Sequence, residues 1–308
     1  MPPSVTAGLT TTRAPFIEQA RADGRMFIEQ PYELYSEDNH ATWRRLFERM
    51  RAKWDRYATE RFLRGVDNLA LDPSRVPRLD EVNTYLAPLT GFRAKAVSGY
   101  IPALHFFDCL SRREFPTTVT IRDGSSLDYL PEPDIFHDIA GHVPMHTDRA
   151  FADALVRFGE CARTGAEIVA GIKDDVERVR RLTSIQKALT RFFWFTIEFG
   201  LMRGTKPGEI KVCGSGLLSS YGEIEYAIES PNVQRFPMQL EWVVNQYFEI
   251  DSFQPVLFVV DSFEHLLSLV DTLEQWMKDG KLNSVAQGEP EVSETDLRSF
   301  LEPSVLTV

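Results

Sequence analysis

The sequence predicts a mainly helical α+β fold with a few short β-strands, held in one catalytic domain. Three observations carry that expectation. Apolar residues recur at three- and four-residue steps over long stretches, at 41–64, 149–171, 174–203 and 262–277. β-branched runs are few and short, at 117–122, 210–213 and 256–260. A chain of 308 residues with 43% hydrophobic content can bury a sizeable core, and no linker-like composition interrupts its middle.

Residues 1–24 mix Thr, Ala, Pro and Gly with little periodicity and are expected to form a flexible lead-in. FIEQ occurs at 16–19 and again at 27–30, but its flanks differ, so it is no repeat. From 41 to 64, Trp43, Leu46, Phe47, Met50, Trp54, Tyr57 and Phe62 line one face of a long amphipathic helix. A shorter helix is expected over 79–87, ended by Pro88 and Gly91. VSGYIPALHFFDC (97–109) reads as a glycine turn followed by a helix that Pro102 starts. TTVTIRDGS (117–125) alternates like a strand that runs into a turn at Asp123 and Gly124.

Helices follow at 149–171 and 174–203. Next come a strand at IKVC, a turn carrying Ser219 and Ser220, the strand 256–260, and an amphipathic helix from Ser262 to Met277. Residues 279–308 hold glycine, proline and acids without heptads and are expected to form a tail, leaving 25–278 as the catalytic domain.

Charge and composition narrow the partners. A net charge of −11, with no basic run of five, argues against nucleic acid. Cys109, Cys161 and Cys213 are odd in number and scattered, as expected of reduced thiols in the cytoplasm. No signal peptide and no membrane-spanning apolar run is read.

The chemistry concentrates in YLPEPDIFHDIAGHVPMH (129–146). His137 and His142 stand five residues apart, and on a regular α-helix such positions point about 140° away from each other. The expected remedy is a helix that ends at a left-handed Gly141 and is kept from resuming by Pro144, so that both rings face one point. Two nearby histidines also arise by chance, so a third ligand is needed.

FFWFTIEFGLM (192–202) supplies Glu198, a carboxylate within a run of aromatic and aliphatic side chains that has cations only at its ends, Arg191 and Arg203. Burying such a charge is costly unless something positive meets it. Two histidines and a carboxylate with open positions suit non-haem Fe(II) better than a closed zinc site. The plain alternative, a surface-facing Glu on an amphipathic helix, fits poorly because the apolar residues surround Glu198.

These motifs resemble the pterin-dependent aromatic amino acid hydroxylases, and within them the short bacterial phenylalanine hydroxylases. The matching segments are QPYELYSEDNHATW ending at Trp43, VPRLDEV and LTGFR (76–93), TIRDGSSLDYLPEPDIFHDIAGHVP (120–144), FWFTIEFGL (193–201), GSGLLSSYGEIEYA (214–227) and FQP (253–255). The resemblance covers about residues 25–270.

It implies Fe(II) held by His137, His142 and Glu198, with tetrahydropterin and dioxygen as cosubstrates. Gly99, Ile101, Phe106 and Asp138 would then meet the pterin, Phe106 by stacking on its ring. Arg122, oriented by Asp134, would grip the carboxylate of a free amino acid through paired hydrogen bonds. Leu130, Pro133, Trp194, Gly216 and Ser219 would complete the substrate pocket, and Trp194 at its position favours phenylalanine.

The implied reaction is ring hydroxylation of L-phenylalanine to tyrosine. Leu130, Phe193 and Asp138 depart from the animal members, and Phe136 is hard to place, so meta-hydroxylation and tryptophan hydroxylation stay open. Outside the family, a zinc hydrolase with Asp138 as base and a non-catalytic metal- or pterin-binding protein are the rivals. The animal regulatory domain and tetramerisation helix are expected to be absent, giving a monomer or weak dimer.

Overall fold

A computed structural model describes residues 8–10, 14–128 and 132–286. Its helices are α1 (Pro15–Ala22), α2 (Glu37–Tyr57), α3 (Glu60–Leu69), α4 (Leu79–Thr90), α5 (Ala103–Ser111), α6 (Val143–His146), α7 (Arg149–Ala170), α8 (Asp175–Phe193), α9 (Ser215–Leu218), α10 (Tyr221–Glu229), α11 (Leu240–Val243) and α12 (Phe263–Lys278). Two small sheets accompany them. β1 (Arg93–Val97) and β2 (Glu114–Thr118) pair in parallel around α5. β3 (Leu201–Arg203), β4 (Ile210–Val212), β5 (Gln234–Pro237) and β6 (Val256–Val260) form a mixed sheet in the order β4-β3-β6-β5. The mainly helical α+β expectation holds.

Helix α7 is the central strut, packed against α5, α8 and α12. The aromatic stripe of α2 is core, as its periodicity requires. Trp43 and Trp54 are fully buried and close around the ring of Phe136, at centroid distances of 5.2 and 6.4 Å. A buried Phe contributes about 1.5–3 kcal/mol, so Phe136 pins the residue before His137 into the core. The departure that the sequence left unplaced is therefore an anchor.

Several boundaries differ from expectation. The helix expected over 41–64 breaks at Ala58 and Thr59, because Thr59 N–H donates to Val212 O (3.0 Å) and the chain is drawn out alongside β4. α4 runs through Pro88 to Thr90. The strand expected from 117 begins and ends earlier: its parallel partner runs out at Val97, which pairs with Thr118. The helix expected to reach 203 is α-helical to Phe193 and continues as a π turn to Glu198; it goes no further because residues 201–203 pair with β4 and β6. The stretch 214–227 is two short helices rather than a turn, and Ser220 caps the second by accepting Glu223 N–H.

The lead-in is not loose where it is described. α1 buries Ile17 and Ala20, and beyond the expected domain end Leu282 and Val285 are buried too. Residues 1–7, 11–13 and 287–308 lie outside the described residues. No described helix is long and apolar enough to cross a membrane.

α3 and α6 approach with backbone almost in contact at Gly65, where an added Cβ would fall 2.0 Å from Pro144 O. That carbonyl is backbone and cannot swing aside, so Gly65→Ala is expected to cost about 1–3 kcal/mol. Urea denaturation checks this, and an unchanged midpoint would contradict so close an approach.

Candidate metal centre and its two cavities

The helix carrying both histidines is not broken at Gly141. Gly141 is not among the described glycines with positive φ, and residues His137–His142 form a π-helical turn that continues into α6, with Pro144 inside it. Val143 N–H closes the turn on Asp138 O, five residues back. A π turn is closed by i→i+5 bonds, so positions five apart return to one side instead of diverging. The same device recurs at Trp194–Glu198, where Phe199 N–H donates to Trp194 O (2.7 Å).

The two turns bring three donors together. His137 Nε2 lies 3.1 Å from His142 Nε2, His142 Nε2 lies 3.1 Å from Glu198 Oε1, and His137 Nε2 lies 3.6 Å from Glu198 Oε2. Donors about 2.1 Å from one ion and at right angles around it stand about 3 Å apart, so the set fits one face of a six-coordinate metal. Asp138 is near the two imidazoles as well, its carboxylate within 4.8 Å. Its Oδ2, however, accepts Thr118 N–H (2.6 Å) and Oγ1–H (2.7 Å), so Glu198 is the better third ligand.

Neighbouring groups prepare the donors. Ser219 Oγ donates to Gly216 O (3.2 Å) and so accepts Nδ1–H of His137 (2.8 Å), which leaves the lone pair of His137 on Nε2. Burial drives the His137 imidazolium down to about 4, so the ring is neutral at pH 7. Burial alone would raise the Glu198 carboxyl, but His142, His137 and Ser215 Oγ–H (3.1 Å) outweigh it and bring it to about 2.

One cavity of about 400 Å³ opens on this centre from the carboxyl ends of β1 and β2, where parallel sheets commonly receive ligands. Gly99, Ile101, Phe106 and Asp138 line it, as do His137, His142 and Glu198. Gly99 sits at φ 134°, a conformation strained for other residues. Phe193 is buried behind the cavity, edge-on to Phe106, Phe107 and Phe158 at 5.3–5.5 Å, and packs where a polar ring would need a partner. Burial pushes the Asp138 carboxyl up to about 7.

A second cavity, about 160 Å³, lies on the other side of His137 and Glu198. Arg122, Pro133, Trp194, Gly216 and Ser219 line it, together with Glu223, which was not foreseen. Arg122 is 2% exposed, and its Nε–H and Nη2–H donate to the two oxygens of Asp134 (2.8 and 3.0 Å). Burial by itself would raise Asp134, but the guanidinium and the amides of His137 and Arg122 hold it below the usual carboxylate range. Asp134 lines neither cavity; it sets Arg122. Trp194 is sandwiched between Phe199 and Phe248, at centroid distances of 4.5 and 4.2 Å. Leu130 lies outside the described residues, and Tyr247 is exposed and lines neither cavity.

Among the other residues that escaped the sequence reading, two line the larger cavity and one contacts the donors. Ile17 and Arg21 reach the larger cavity from α1, and Arg21 Nε–H donates to Ser98 O (2.7 Å). Pro15 at the first turn of PFIEQARA was the available signal. Ser215, within the quoted GSGLL motif, contacts His142 Nε2 (2.9 Å) and Glu198.

Residues 12–282 match the sequence profile of the family described as biopterin-dependent aromatic amino acid hydroxylase. A phenylalanine-4-hydroxylase of Caulobacter vibrioides is 39% identical over 232 residues, covering 75% of this chain and 73% of that protein. The phenylalanine-4-hydroxylase of Chromobacterium violaceum is 36% identical over 232 residues, covering 75% and 72%. A crystal structure of the Chromobacterium violaceum phenylalanine hydroxylase, with bound iron(III) and oxidised 7,8-dihydrobiopterin, matches with a TM-score of 0.72 at 33% identity, over 86% of this chain and 90% of that one.

Ser219→Ala removes the acceptor that fixes the His137 ring. It is expected to weaken Fe(II) binding by about 10- to 100-fold, read by chelator competition. Unchanged affinity would mean that Ser219 does not orient the ligand.

Proposed function

The chain belongs to the biopterin-dependent aromatic amino acid hydroxylase family, and from that premise we propose that it hydroxylates free L-phenylalanine at ring position 4, giving tyrosine. The observation that carries the reading is the meeting of two cavities on one set of donors, His137, His142 and Glu198. The larger cavity is assigned to the pterin, with Phe106, Gly99, Ile101 and Asp138 on its walls, and the smaller to the amino acid. The 4-position follows the activity of the bacterial relatives; no feature of the cavity favours meta-hydroxylation or tryptophan. A zinc hydrolase would need Asp138 free as a base, and Thr118 engages it.

When bound, iron and tetrahydropterin supply the activation of dioxygen and the reducing equivalents. The chain supplies position. Arg122, with two donors committed to Asp134, offers its remaining N–H groups to the substrate carboxylate. Trp194, locked between two rings and donating Nε1–H to Gln254 Oε1 (3.2 Å), gives the substrate ring a wall that does not shift. His137 and Glu198 border both cavities, so a ring in the smaller one faces the same centre as a pterin in the larger.

We further propose a cytoplasmic location and a monomeric or weakly dimeric state. Cys109, Cys161 and Cys213 are free and buried, in keeping with a reducing compartment.

Fe(II)-loaded protein incubated with phenylalanine, tetrahydropterin and air is expected to yield para-tyrosine by chromatography; meta-tyrosine or no product would refute the assignment. Glu198→Ala is expected to lose turnover and iron together, and retention of both would remove Glu198 from the ligand set.

A further inference from the structure

Resting on the proposed amino-acid substrate, we propose that Glu223 binds its α-ammonium group. A free amino acid enters as a zwitterion and brings two charges into a small cavity with buried walls at Arg122 and Glu223. Arg122 answers the carboxylate. An ammonium losing its hydration there needs an anionic acceptor of its own, because an unpaired buried charge is far costlier than a paired one.

Glu223 is the carboxylate that fits. It is 2% exposed and lines the substrate cavity with Arg122, Trp194 and Ser219. The cavity's other acids are otherwise placed. Glu198 faces the two imidazoles, and Glu132 sits at an exposed rim. Glu223 enters none of the ion pairs among the described residues; Arg122, on the same wall, is paired with Asp134.

Its one side-chain hydrogen bond is from Gln254 N–H to Oε1 (2.8 Å). Burial without a neighbouring cation pushes the carboxyl up to about 7, the state of an acid whose counter-ion is missing. The helix holds it in place: Glu223 sits in the first turn of α10, where its own N–H is capped by Ser220. The ammonium thus completes an ion pair that the protein alone leaves half-built.

A merely structural role is the competing explanation. Glu223 holds Gln254 N–H, and Gln254 Oε1 holds Trp194, so loss of the side chain could loosen the ring wall. Glu223→Gln separates the two, since the amide oxygen can still accept Gln254 N–H while the charge is gone. In the iron-loaded enzyme, E223Q is expected to raise KM for phenylalanine about 10- to 100-fold, the range for a hydrogen bond to a charged group, while kcat falls far less. Affinity for 3-phenylpropanoate, which has the ring and carboxylate but no amine, is expected to stay unchanged.

If E223Q weakens both ligands equally, or neither, the proposal is overturned and Glu223 serves only Gln254. The wild-type enzyme supplies a measurement that needs no variant: it must bind phenylalanine at least about tenfold more tightly than 3-phenylpropanoate, and equal binding overturns the assignment. A wild-type protein that neither binds nor hydroxylates phenylalanine removes the proposed function itself, and this inference with it.

Discussion

The structure turns on a largely buried carboxylate, Glu198, that must meet positive or hydrogen-bonding partners inside an aromatic shell. Two imidazoles and one hydroxyl meet it, delivered by two different elements. The histidines come from a π turn between Phe136 and α6; Ser215 comes from the start of α9. Regular α-helices would aim His137 and His142 apart. Both departures from α-helical geometry, at His137–His142 and Trp194–Glu198, occur where ligands are needed, and a π turn persists only where packing stabilises it. That packing is visible: Phe136 is clamped by Trp43 and Trp54 ahead of the first turn, and Phe193 by three other phenylalanines ahead of the second.

A second buried charge system ties Arg122, the proposed substrate clamp, to the candidate metal centre. Asp134 accepts from the Arg122 side chain and backbone, and also from His137 N–H (2.9 Å). One carboxylate therefore sets both the Arg122 side chain and the entry to the helix that carries the two histidines. The arrangement is rigid because every oxygen of a fully buried Asp134 is engaged, and leaving one unmatched there would be expensive. On the other side of the centre, Asp138 is held by the end of β2, which fixes the wall of the larger cavity to the parallel pair.

The helical class, the core face of α2 and the three ligand candidates were legible in the residues, since each depends on local spacing or on the cost of one misplaced charge. The cavity residues Gly99, Ile101, Phe106, Arg122, Trp194 and Gly216 entered through resemblance, and the structure places them on two walls of one centre. What misled was the assumption of ordinary geometry: Gly141 and Pro144 suggested a helix end where the chain widens instead. The composition of residues 1–24 suggested a loose segment, whereas α1 docks through Ile17 and Ala20 and sends Arg21 to the larger cavity.

By itself, the sequence determined the chemistry of the site: which side chains can bind a metal and which rings must be buried. These follow from side-chain type and short-range periodicity, which need no knowledge of distant contacts. Only the tertiary structure decided that His137, His142 and Glu198 meet within 3.1–3.6 Å, and that Glu223 shares a wall with Arg122. Such convergence depends on packing between segments some 60 to 100 residues apart, where no local pattern specifies direction.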